Sequence, residues 1–98
     1  MKDKFIFQFE NLLTKYKSQR TDIEGNLHDL HKNQLTIALK TPFLHHEEHS
    51  KAMNRLEVIK KDIQTQKHEL AKINTEIHRV ENHLKELKKS DEKPLWNS

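Results

Sequence analysis

Cysteine is absent from this 98-residue chain. That excludes disulfides, thiolate catalysis and cysteine-based zinc sites. Glycine occurs once and proline twice, so a phosphate-cradling glycine loop cannot be built. No apolar run approaches the roughly 18 residues expected of a membrane-spanning helix. The stretch Phe5-Ile6-Phe7-Gln8-Phe9 is too short and too soon interrupted for a signal-peptide core. A cytoplasmic protein that does not enter a membrane is the expectation. Neither sign of charge dominates: the net charge is +3, with the eight histidines counted as neutral. A bias of that size favours acidic partners only mildly.

What the chain does contain is charge and heptads. Charged residues make up 34% of it and hydrophobic residues 33%, a composition closer to long helices than to an ordinary globular domain. The apolar residues are placed with strict order. One tract runs Ile6, Phe9, Leu13, Tyr16, Arg20, Ile23, Leu27, Leu30, Gln34, Ile37. A second runs Leu56, Ile59, Ile63, Gln66, Leu70, Ile73, Ile77, Val80, Leu84, Leu87. Both alternate steps of three and four, the a/d pattern of a coiled-coil seam. Seventeen of the twenty positions are apolar, where random placement would fill about seven.

The two frames are out of phase by one residue, and the slip falls between Ile37 and Leu56, an interval that also contains Pro42. Proline removes a backbone donor and biases Thr41 away from helix. The chain is therefore expected to form a single helical-hairpin domain: helix 3–40, turn 41–50, helix 51–90 and tail 91–98. Ser50 is the expected N-cap of the second helix, with Thr41-Pro42 as an alternative start. Gly25 falls at an outward f position. It should cost about 1 kcal/mol relative to alanine, and a kink at Gly25-Asn26 is the competing reading. The fold class is all-α, an antiparallel coiled-coil hairpin. A bare hairpin buries little surface, so a homodimeric four-helix bundle is a natural extension.

Facing residues follow from the frames. Ile37 faces Leu56, Leu30 faces Ile63, Ile23 faces Leu70, Leu13 faces Val80 and Ile6 faces Leu87, each pair equidistant from His46-Glu47. On this register Arg20 meets Ile73, Gln34 meets Ile59 and Gln66 meets Leu27, so no polar core residue faces another. They are expected to reach solvent at the edge of the seam or to meet polar groups of another chain.

Two apolar sets remain outside the seam. Phe5, Phe7 and Leu12 lie at the open end, with Leu95 and Trp96 arriving from the tail. Leu35, Leu39, Phe43, Leu44 and Met53 lie near the turn. Either they fold back to close the ends of the hairpin or they bind another helix, from a second copy or a different protein. Phe5, Phe7, Leu12, Leu39, Phe43, Leu44, Met53 and Trp96 are the candidate partner-binding residues.

His45-His46-Glu47-Glu48-His49 matches the H-x-x-E-H pattern of a zinc-peptidase family through His45, Glu48 and His49. A helical hairpin offers no further ligand, cleft or scaffold for that chemistry. His45, His46 and His49 are thus weak metal candidates in a solvated turn, and no cofactor or metal is expected. No nucleophile–base–acid constellation is present either, so the chain is not expected to be an enzyme. His28, His31, His68, His78 and His83 fall outside the seam and read as surface residues. Lys15, Lys17, Lys85, Lys88 and Lys89, with Arg20 nearby, form a basic end under the hairpin register, although lysines at a helix C-terminus are also what the macrodipole favours. The expected function is protein–protein interaction through helix packing, as an adaptor, assembly factor, chaperone or regulator. The alternative is a nucleic-acid-associated accessory protein using the lysine-rich end.

Overall fold

Strict heptads interrupted by a proline give two helices, and the computed structural model of the protein has them. It describes the backbone of residues 2–92 and the side chains of residues 3–89. Helix α1 spans Lys2–Lys40, a 3-10 turn covers Thr41–Phe43, and helix α2 spans His46–Glu92. There is no strand among the described residues. The fold is an all-α antiparallel hairpin.

The seam is where the heptads place it. All twenty a and d positions are buried or half-buried. Outside them, only Leu12, Gln19, Thr41, Leu44, Ala52, Asn74 and Glu76 are shielded to that degree among the described side chains. Buried apolar residues are Leu27, Ala52, Ile63, Ile77, Val80 and Leu84. Ile77, at 2% exposure, is the most completely enclosed, and burial of such a side chain stabilises by roughly 1.5–3 kcal/mol. Helix α1 runs through Gly25 without interruption. A Cβ built there would meet nothing within 4 Å, so the glycine answers no packing need.

The reversal of direction is tighter than the composition suggests. Thr41 Oγ1 donates to the Ile37 carbonyl at 2.7 Å, closing the end of α1 with a side-chain hydroxyl. Pro42 sits in the first positions of the 3-10 turn, where its missing N–H costs nothing. The Leu44 N–H donates to the Thr41 carbonyl at 3.2 Å, and Leu44 is extended, with φ −88° and ψ 146°. Helix α2 then starts at His46, so the expected turn of 41–50 is corrected to a connection ending at His45. Ser50 is not the N-cap but lies inside the helix. The His45 carbonyl accepts the His49 N–H at 2.7 Å, and Glu47 and Glu48 occupy the first turn. Carboxylates there complement the partial positive charge of the helix N-terminus, so the helix needs no serine cap. The earlier start carries the seam one layer further. Thr41 and Ala52, equidistant from the same centre as the other pairs, are both buried.

The hairpin forms two compact units, Met1–Arg20 with Lys72–Ser98, and Thr21–Ala71. The first contains the open end and the second the turn.

Candidate interaction surface

In the open-end unit, the flanks of the seam are closed by side chains that reach from one helix to the other. Lys88 Nζ lies 3.4 Å from Glu10 Oε1, and Lys17 Nζ lies 3.9 Å from Glu81 Oε2. All four residues occupy e positions of their frames, which are the flanking partners in an antiparallel pair. Arg20 does not stay unpaired opposite Ile73. Its Nη1 donates to Asn74 Oδ1 at 3.4 Å, one residue beyond the apolar partner. The Phe9 ring stacks on His83, with centroids 5.7 Å apart and planes 6° apart. His83, exposed as expected, roofs one seam position from the surface.

These contacts bear on the basic end. Lys15, Lys17, Lys85, Lys88 and Lys89 are all exposed, but Lys17 and Lys88 face carboxylates across the hairpin. The lysine-rich end is thus an alternating surface rather than a single-sign one. Of the apolar set, Phe5 is 51% exposed and Phe7 64%, while Leu12 is half-buried beside the seam. Phe5 and Phe7 are two positions apart, about 200° around the helix, so they do not share a face. Leu95 and Trp96 lie outside the described residues.

The turn unit differs. One of its two polar seam residues, Gln66, has a buried Oε1 with no hydrogen-bond partner. Beside it runs a groove lined by Asn26, Asp29, Leu30, Asn33, Asp62 and Thr65. Closer to the turn, a groove of about 310 Å³ is lined by Ile37, Leu44 and Ala52 and edged by Lys40, Glu48 and Arg55. Leu44 is half-buried there. Leu35 and Leu39 on α1 are 61% and 64% exposed, and Phe43 in the 3-10 turn is 84% exposed. Met53 and Val58 on α2 are also exposed. Val58 escaped the sequence reading because a single valine at an outward position carries no periodic signal. A usable signal did exist for α1, since residues 33–39 contain no charged residue at all.

His45 immediately precedes α2, and His46 and His49 lie within it, all exposed. Among the described residues, no group of three or more His, Asp or Glu side chains is arranged to hold a metal ion, and no helix is long and apolar enough to cross a membrane. No protein-family model, curated protein or solved structure matches this chain.

Proposed function

We propose that this chain is a non-enzymatic protein–protein interaction module that binds by helix packing, as an adaptor, assembly factor, chaperone or regulator, and that it works as a cytoplasmic homodimer. The observation that carries the reading is the set of large apolar side chains left on the surface after the seam is filled: Phe5, Phe7, Leu35, Leu39 and Phe43. Apolar clusters of this kind on a surface otherwise crowded with charge are typical of docking faces. The nucleic-acid alternative gains nothing from the lysine-rich end, because Glu10 and Glu81 sit among its cations.

The test is binding by the purified protein and a partner recovered with it from its native host. Phe7→Ala should weaken that complex by about tenfold, the scale of an ordinary interface anchor, with helix content unchanged. Binding should persist as salt is raised. A ligand that proves to be nucleic acid, with affinity falling steeply in salt, would overturn the reading in favour of the basic end.

A further inference from the structure

We infer that the grooved edge of the seam in the turn unit is covered by the same edge of a second copy of this chain, turned end over end, so that Arg55 and Lys40 of each copy meet Asp62 and Asp29 of the other. This rests on the interaction-module reading and names its partner and surface.

Two stripes build that edge. On α1, Asn26, Asp29, Asn33, Thr36 and Lys40 follow one another at alternating steps of three and four. On α2, Glu48, Lys51, Arg55, Val58, Asp62 and Thr65 do the same. Such steps keep residues on one face of a helix, and the two faces lie on the same side of the hairpin, because these residues line the grooves along the seam together. Asp29, Lys40, Lys51, Arg55 and Asp62 are exposed, and none of the five has an ion-pair partner among the described residues.

Charge is sorted along this edge. Toward the turn it carries Lys40, Lys51 and Arg55 against a single carboxylate, Glu48. Away from the turn it carries Asp29, Asp62 and Glu69, with no lysine or arginine on either stripe as far as Glu69. A surface with that polarity is electrostatically complementary to its own reverse.

The spacing agrees with the sign. Arg55 and Asp62 are equidistant from the point between Val58 and Ile59, and Lys40 and Asp29 from the point between Gln34 and Leu35. In the seam register Gln34 stands opposite Ile59, so both points lie at one level of the hairpin. One two-fold axis at that level lays each helix antiparallel on its own copy and forms both kinds of ion pair, each twice. The pairs fall about 5 Å and 8 Å along the helices from the axis, at 1.5 Å per residue. The two spacings are set on different helices and need not have agreed. At the axis the edge is apolar: Val58 is 58% exposed and shares a groove with Ile37 and Ile59. An uncharged centre ringed by charge is the usual anatomy of an interface. Glu48 comes level with Glu69 of the second copy, the one like-signed match on these stripes. Both are exposed and stand at the outer end of the overlap, where water and salt weaken their repulsion.

Exchanging charges tests the axis. In sedimentation the wild-type chain should form a dimer. Arg55→Glu sets carboxylate against carboxylate at both symmetry-related contacts and should weaken the dimer at least about tenfold; Asp62→Arg should do the same with two cations. Mixing the two variants should restore association. One contact then joins the two substituted residues with opposite charge, and the other keeps the original arginine and aspartate. Helix content, read by circular dichroism, should be unchanged, since both positions are exposed. Should either variant lose helix, Lys40→Glu with Asp29→Lys supplies the same exchange on α1. A wild-type chain that stays monomeric at all concentrations would refute the second copy as occupant. A dimer indifferent to both substitutions, or variants whose mixture stays monomeric, would refute this edge and register. The interaction-module reading, tested separately by Phe7→Ala at the open end, would survive that result.

Discussion

The two units solve the same problem differently. Near the open end, Ile77, Val80 and Leu84 are buried, and the edges of the seam are bridged by Glu10–Lys88, Lys17–Glu81, Arg20–Asn74 and the Phe9–His83 stack. Its polar seam residue, Arg20, finds a partner within the hairpin. Near the turn, Leu27, Ile63, Ala52 and Thr41 are buried. There the seam carries an unsatisfied Gln66 oxygen, grooves run along it, and large apolar side chains point outward. The difference teaches that one heptad grammar can yield a segment whose seam edges are bridged and one whose seam keeps an unpaired polar atom, while both leave large apolar side chains on the surface, Phe5 and Phe7 in the first and Leu35, Leu39 and Phe43 in the second. The a and d positions are equally regular in both; the flanking and outward positions decide.

The largest expected effect breaks the comparison at its centre. Ile77→Ala should destabilise the fold by about 2–5 kcal/mol, the cost of a buried aliphatic truncation with its cavity, read as a fall in the urea midpoint. Ile59→Ala, at a half-buried seam position of the turn unit, should cost about half as much. Equal losses would mean that the turn unit is as deeply covered in solution as the open end. A smaller change of opposite sign is expected at Gln66. Gln66→Leu removes the orphaned oxygen and should stabilise by about 1–2 kcal/mol in the same assay. A loss of stability there would show that Gln66 has a partner in solution. The smallest effect concerns the bridged edge. A double-mutant cycle on Glu10 and Lys88, both about half exposed, should give a coupling of about 0.2–1 kcal/mol that shrinks with added salt. Coupling well above that range would make the open-end edge a rigid clasp rather than a solvated one.

Much of the fold is legible in the sequence because heptad spacing and a proline are local signals. The seam positions, the antiparallel pairing and the neighbourhood of the turn follow from them. The turn's length did not, since α2 starts with Glu47 and Glu48 in its first turn, whose charge favours a helix N-terminus, several residues before the serine that was expected to cap it. Arg20 was harder to place. Pairing core positions only with core positions overlooks long side chains, and an arginine at the seam reaches the e position of the opposite helix. Leu12 and Leu44, counted among the surplus, turn out half-buried because residues beside the seam share its cover. Leu39 and Phe43 stay exposed because no part of the described chain reaches them.

By itself, the order of residues determined that two long helices would form and pair antiparallel about His46-Glu47. Periodicity fixes which stripe of each helix must leave water, and a stripe interrupted by proline has its reverse as nearest partner. Only the tertiary structure decided which flanking charges meet, that Gln66 is left with an unpaired oxygen, and which surplus apolar side chains remain on the surface. Those outcomes depend on where side-chain ends fall relative to the second helix, a distance that no spacing along one helix encodes.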